Sequence, residues 1–486
     1  MSGLKNLFKQ TFIYGLATVL PRMLSFLLVP LYTTKGVLSS VAEYGKVSII
    51  FSWFVIFNVI LAYGMETAFF RFFNKEDDQN KVVGTSAIAL IVSSFGFFIL
   101  AFLLKNQIAA LTDIKAEYIS LVVWILLLDA LVIIPFAWLR AHGKSTTYAI
   151  IKILNVAFNL GLNVFFLLYL KKLAVNSALM ESIYIPNFEV NYIFISNLVA
   201  SAVTLALMLH FYFKIKYTFD SDLFKKMMRY AIPVLIAGIA FSVNETFDRI
   251  LLDYLLPPDI AETKVGMYSA CYKIAVFMTL FATAYRLGIE PYFFSHAKTE
   301  NPQKNYARIL EFFVASGSIM VLAVVVFADV LKPFIVRSED YWEAMWVVPF
   351  ILIANFCLGI YHNLSVWYKI TDRTKFGAYI SVFGALLTLG LNFWLIPIID
   401  YKGSAIATLV AYASMMVASY YYGQKYYPIP YNLKKMSLYL LVSSAFSVIS
   451  FYVYRDYFYV GITLLMGYLI LVFMLEKNQL QQFLKR

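Results

Sequence analysis

Val82–Leu104 reads VVGTSAIALIVSSFGFFILAFLL, with Lys81 before it and Lys105 after it. These 23 uncharged residues, wound as a helix, would extend roughly 34 Å, enough to cross a hydrocarbon core about 30 Å thick. A core helix of a water-soluble protein would show a polar stripe, and this stretch has only a few serines and threonines. Working outward, the same pattern recurs along the chain. Apolar spans are predicted at about 11–32, 47–70, 82–104, 118–139, 147–170, 190–213, 229–252, 268–292, 308–328, 345–367, 376–398, 403–422, 436–454 and 458–475. The fold class is therefore an all-α polytopic membrane protein of about fourteen transmembrane helices.

Composition supports this reading. Of 486 residues, 61% are hydrophobic and 14% charged, too little polar surface to cover a soluble fold of this size. No segment outside the spans is long enough for a separate catalytic domain. The first span holds Pro21 and Arg22 and lacks a small-residue cleavage site, so it reads as a membrane span rather than a signal peptide. Cys271 and Cys357 both fall in apolar spans and read as small apolar side chains, with no disulfide or metal site implied.

The net charge is +12, and its distribution argues against nucleic acid as a partner. With both termini cytoplasmic, about 26 of the 40 basic residues fall on the inner side and about 12 on the outer, the positive-inside pattern.

The polar segment Lys214–Arg229 separates six spans from the next six, and a final pair follows Lys434 and Lys435. This gives an N-terminal six-helix lobe at 1–217, a second at 218–428, and a terminal pair with its tail at 429–486. An internal repeat agrees with the division. Gly64-Met65-Glu66-Thr67-Ala68-Phe69-Phe70 aligns with Gly288-Ile289-Glu290-Pro291-Tyr292-Phe293-Phe294, and the ungapped alignment places Tyr44 opposite Tyr268. Six spans per half make the repeats parallel, and two similar lobes create a central cleft that can open to either side.

Charges inside spans are expensive and mark candidate sites. Arg22 lies about midway in the first span beside Pro21, with Pro30 further on. It either snorkels from a kinked helix or faces an aqueous cavity, where a guanidinium suits a phosphate; its distance from both ends favours the cavity. The seventh span carries Asn244, Glu245, Asp248 and Arg249. Asn244 and Asp248 share a face, and Glu245 and Arg249 stand at the spacing of a helical ion pair. These four are either a self-neutralising group near the helix end or the polar mouth of a cleft with Asp248 or Glu245 as a coupling carboxylate. Arg286 and Glu290 have the same spacing late in the eighth span, with Glu66 and Arg71 as their equivalents in the second; both sets suit a gate or a strut. Asp129 and Arg140 share a face, as do His362 and Lys369, and Asp129 is a further candidate to carry a coupling ion. A lone membrane histidine more often serves a helix-to-helix hydrogen bond than a proton relay.

Gly143-Lys144-Ser145 has Trp138 where a phosphate loop needs its first glycine, and it lies in a short loop between spans, which argues against nucleotide hydrolysis. No metal-ligand spacing and no catalytic residue set is present in the sequence. A transporter without cofactor or metal is the expectation, and a monomer is the default state.

The chain resembles the bacterial polysaccharide-biosynthesis flippases (O-antigen and capsule repeat-unit exporters) of the multidrug/oligosaccharidyl-lipid/polysaccharide exporter superfamily. The resemblance is carried by Tyr14-Gly15 through Arg22 to Pro30, by Ala42-Glu43-Tyr44-Gly45, by Asp248-Arg249-Ile250-Leu251-Leu252 and by Val265-Gly266-Met267-Tyr268-Ser269-Ala270. It implies fourteen helices in two lobes, V-shaped when open, and transfer of undecaprenyl-pyrophosphate-linked oligosaccharide between leaflets of the cytoplasmic membrane. It further implies a polysaccharide polymerase and chain-length machinery as partners beside membrane lipids. Relatives that flip the peptidoglycan precursor hold the pyrophosphate with cavity arginines; Arg22 is the best match by position, and Arg249 occupies a family-like motif. The rival readings are an ion-coupled drug or cation antiporter of the same superfamily and a membrane-embedded glycosyltransferase or polymerase. A central arginine argues against the first, and the small outer loop at about 171–189 against the second.

Overall fold

The computed structural model describes residues 26–295 and 301–484, together with Val19 and Met23. Thirteen helices among the described residues are long and apolar enough to cross a membrane. They are α1 (Val41–Phe73), α2 (Gln79–Leu103), α3 (Ala116–Ala141), α4 (Ser145–Ala174), α5 (Glu189–Lys214), α6 (Ser221–Leu255), α7 (Pro258–Leu287), α8 (Pro302–Val326), α9 (Glu339–Ile370), α10 (Lys375–Ile399), α11 (Tyr401–Tyr426), α12 (Leu433–Val453) and α13 (Phe458–Lys477). Each coincides with one of the last thirteen spans expected from the sequence. Most of the expected first span lies outside the described residues. The helices outrun their apolar windows because a backbone leaving the bilayer still gains from completing its hydrogen bonds. The 35 residues of α6 extend roughly 52 Å.

Several helices are interrupted, and the causes are local. α1 breaks where Tyr63 and Gly64 adopt positive φ (30° and 73°). At Gly64 the backbone approaches α6 so closely that a Cβ would stand 2.5 Å from the Ala231 carbonyl oxygen. α3 breaks at Val132. Pro135 cannot donate to the Leu131 carbonyl, and the Tyr212 hydroxyl of α5 donates to that oxygen instead.

The chain forms two compact units. The first holds residues to Tyr254 with Pro258–Gly266, and the second holds Leu255–Pro257 with Met267 onward. The division thus falls one helix later than a division by six spans. α6 belongs with the first unit because Leu223, Met227 and Ala231 on its first turns pack with Met65, Phe69, Val82 and Leu90 in one buried cluster.

The inside-out surface expected of a bilayer protein is evident. Large apolar side chains such as Phe383, Leu386, Phe393 and Trp394 on α10 are exposed, while small polar ones are buried. Lipid gives apolar groups no reason to hide, so helices associate through close packing and hydrogen bonds. In the second unit Asn392 of α10 accepts a 2.7 Å hydrogen bond from Ser404 of α11. In the first, Tyr32 donates to Asn163 of α4 at 2.8 Å.

Two ion clusters tie the second unit together. The Lys435 ammonium of α12 lies 2.5 Å from Glu311 of α8 and 2.7 Å from Glu476 of α13. Arg455, between α12 and α13, holds Asp329 through two 2.9 Å hydrogen bonds, and Lys332 approaches the same carboxylate at 2.7 Å.

Candidate functional site: a polar cavity in the first unit

The polar stripe of α4 organises this site. Lys152, Asn155, Asn159 and Asn163 recur every three or four residues and so share one face of the helix. Asn159 and Asn163 spend their amides locally, Asn163 donating to both oxygens of Asn159 at 2.8 Å. Lys152 and Asn155 instead reach a cavity of about 330 Å³. α1 contributes Asn58 and Glu66, α3 contributes Asp129 and Phe136, and α5 contributes Asn197, Ser201 and Thr204. Every one of these residues belongs to the first unit.

The charges are balanced but not all paired. Arg140 and Glu66 form an ion pair of 2.6 Å, joining the end of α3 to the end of α1. Asp129 accepts a 2.7 Å hydrogen bond from Ser201 on one oxygen. The Lys152 ammonium rests over the Phe136 ring, 4.2 Å from its centroid. Among the described residues it has no hydrogen bond and no carboxylate within ion-pair distance. Asn155 donates to Thr204 at 2.9 Å, and Thr204 donates onward to the Ala200 carbonyl. The amides of Asn58 and Asn197 and the second oxygen of Asp129 make no hydrogen bond to the protein among the described residues. A membrane-embedded unit that leaves donors and acceptors unspent around one cavity is built to meet something polar there. A second recess of about 290 Å³, lined by Trp53, Phe57, Phe97 and Leu104 among others, is almost wholly apolar and has no such groups.

The other residues singled out in the sequence are distributed elsewhere. Arg22 and the Glu290 side chain lie outside the described residues. Asn244, Asp248 and Arg249 are buried on α6. Arg249 binds Asp248 at 2.9 Å and the Glu245 main-chain oxygen at 3.2 Å, so its ion-pair partner is its sequence neighbour rather than the Glu245 carboxylate. Glu66 and Arg71 likewise do not pair: Glu66 takes Arg140, and Arg71 lies 4.3 Å over the Tyr230 ring of α6. The break at Val132 separates Asp129 from Arg140, and they find different partners. In the second unit, Arg286 is half-buried on α7, and His362 and Lys369 are half-buried on α9. α9 is interrupted between those two at Ser365.

Lys152 is the charged cavity residue that span-by-span reading misses, together with the amides of Asn58, Asn155 and Asn197, because it falls near the start of a span and counts there as one of the inner basic residues. The signal was present in its spacing with Asn155 and Asn159.

Comparison with known proteins agrees with this architecture. Residues 7–295 match the sequence model of the family described as "Polysaccharide biosynthesis protein", and the chain belongs to that family. No curated protein sequence matches it significantly. Among solved structures, the lipid II flippase MurJ in an inward closed conformation superposes with a TM-score of 0.73 at 14% identity, over 96% of this chain and 100% of that one. An inward-facing multidrug resistance MATE family transporter of the MOP superfamily gives 0.64 at 13% identity, over 85% and 94%. A MOP superfamily transporter from Pyrococcus furiosus, described as having a binding pocket of reverse polarity, gives 0.59 at 12% identity, over 86% and 95%. The chain therefore has the exporter fold of these transporters.

Proposed function

We propose that this member of the polysaccharide biosynthesis protein family is a flippase for undecaprenyl-pyrophosphate-linked oligosaccharide repeat units, working by alternating access in the cytoplasmic membrane of a bacterium with both termini inside. The observation that carries the reading is the charged, amide-lined cavity among the spanning helices of the first unit. Apolar or amphiphilic cargo would not need it, and a polyhydroxylated, anionic headgroup would.

The task is physical rather than covalent. A glycan with a pyrophosphate cannot shed its water into hydrocarbon, so the protein must replace that hydration while the lipid tail stays in the bilayer. In this reading Arg22 and Arg249 meet the pyrophosphate, and Asn244 contributes a polar contact. Asp248 or Glu245 carries a coupling ion; Asp129, the third candidate, shares its cavity with the Lys152 ammonium, which opposes a metal cation there and leaves it a proton. Glu66 with Arg140, Arg286 with Glu290, and His362 with Lys369 act as gates or struts. The chain makes and breaks no bond, and a polysaccharide polymerase with its chain-length machinery receives the product.

A drug or cation antiporter is the second reading, favoured by Asp129 facing a cavity. The Lys152 ammonium in the same cavity opposes a cation there, which ranks this reading below the first. The test is translocation of a fluorescent pyrophosphate-linked lipid oligosaccharide in proteoliposomes by wild type and Arg22→Ala. Flipping that the variant loses supports both the function and the arginine. Flipping that it keeps returns Arg22 to a structural role. Absence of flipping by wild type with several glycans overturns the proposal.

A further inference from the structure

We propose that the cavity between α1, α3, α4 and α5 is a binding subsite for a single sugar residue, with Lys152, Asp129, Asn58, Asn155 and Asn197 as its hydrogen-bonding groups. The inference rests on the flippase reading and adds to it where in the first unit the glycan is recognised.

The free donors and acceptors around the cavity define what it can hold. Around the cavity the unspent donors are the Lys152 ammonium and the amide nitrogens of Asn58 and Asn197. The unspent acceptors are the free Asp129 oxygen and the amide oxygens of Asn58, Asn155 and Asn197. A metal cation satisfies acceptors only, and the ammonium of Lys152 would repel it. An inorganic anion satisfies donors only, and Asp129 would repel it. A sugar hydroxyl both donates and accepts, so a ring carrying several of them uses both sets at once. The charge balance agrees: of the three charged lining residues, Glu66 is paired with Arg140, which is not itself part of the lining, and the remaining two, Lys152 and Asp129, are opposite in sign. Size agrees too. A cavity of about 330 Å³ stands at the small end of ligand pockets and suits one ring rather than a whole repeat unit. The groups are also held in place. Phe136 holds Lys152 over its ring, Ser201 fixes Asp129, and Thr204 fixes the Asn155 amide. A preorganised set of this kind is what selective polar recognition needs.

The experiment is saturation-transfer NMR on the full chain in lipid nanodiscs, using the methyl glycosides of glucose, galactose, mannose and N-acetylglucosamine as probes. Sodium chloride and inorganic phosphate serve as competitors. The wild type should transfer saturation to the ring protons of at least one glycoside, and neither salt should displace it. Lys152→Met and Asn197→Leu, each close in shape to the native residue, should weaken the signal about tenfold or more while keeping the wild-type melting profile. Asn58→Leu reads the same site from α1 should either variant fail to fold. Three results would overturn the inference: no transfer to any glycoside, equal transfer in wild type and variants, or displacement by sodium or phosphate. A wild type that flips lipid-linked oligosaccharide yet binds no glycoside overturns this subsite alone. One that binds glycosides in the cavity and flips no lipid-linked glycan leaves the subsite and overturns the flippase reading.

Discussion

Gly45 of α1 and Gly266 of α7 face each other across a helix crossing that leaves no room for a methyl group on either. A Cβ on Gly45 would stand 1.8 Å from the Glu262 carbonyl oxygen and 3.1 Å from the Gly266 nitrogen; one on Gly266 would stand 2.3 Å from the Val41 oxygen. Backbones in direct contact are how helices gain attraction in lipid, where burial of apolar groups supplies none. The two glycines lie in the segments 42–45 and 265–270, whose residues resemble the family, so those segments are legible as a packing device. Gly45→Ala or Gly266→Ala forces the helices apart. The expected cost is about 1–3 kcal/mol, seen as a lowered melting temperature in detergent. An unchanged melting temperature in both variants would show that the crossing relaxes freely.

The Glu66–Arg140 pair predicts a different outcome. Both side chains are more than two-fifths exposed within the protein. Such a pair contributes about 0–1 kcal/mol to stability. Glu66→Gln and Arg140→Gln should therefore melt close to wild type. If the pair is a gate, each should change the flipping rate, and the double variant should do no worse than either single one. Additive losses in the double variant would mean that the two residues act separately.

Lys435 bridges two carboxylates, and each of the three side chains is only about one-seventh exposed. Lys435→Met removes the cation that Glu311 and Glu476 share. This should cost about 3–5 kcal/mol, or force proton uptake, and loosen α12 and α13 from α8. Glu476→Gln removes one acid and leaves the Glu311 pair intact, so it should cost less. Limited proteolysis and thermal melting of both variants test the order; the reverse order contradicts the bridging role.

Asp329 lies between the spans and supplies a pH test. Burial pushes its carboxyl upward, and hydrogen bonds and charge from Arg455 and Lys332 more than offset this, leaving it below the usual carboxylate range. A carboxylate depressed in the folded state adds stability that is fully present above its unfolded pKa of about 4 and is lost as pH falls through the folded value. Asp329→Asn should therefore melt below wild type at pH 7, and the difference should shrink as pH drops below about 4. A gap that persists at acid pH would assign the loss to packing instead.

The sequence disclosed the membrane helices because a bilayer imposes a length and an apolar composition on each span, and those demands act residue by residue. Thirteen helices coincide with expected spans for this reason. Partners of buried charges were less legible, because spacing on one helix says nothing about what its neighbours bring. Glu245 and Arg249 have ideal helical spacing, yet Arg249 turns to Asp248. Asp129 and Arg140 share a face in an unbroken helix, and Pro135 with the break at Val132 divides them. Lys152 was hidden by its place near a span end. Its alignment with Asn155, Asn159 and Asn163 shows that polar periodicity inside an apolar span carries as much information as the charge itself.

The most direct test of the central claim is a side-by-side transport measurement on the reconstituted chain. Proteoliposomes carrying a fluorescent pyrophosphate-linked lipid oligosaccharide are assayed by quencher accessibility, and parallel vesicles loaded with ethidium are assayed for cation movement. A flippase with this cavity gives protein-dependent exposure of the glycolipid, reduced in Lys152→Met, and no ethidium transport above empty vesicles. Ethidium transport without glycolipid flipping would contradict this and place the chain among the cation exporters that share its fold.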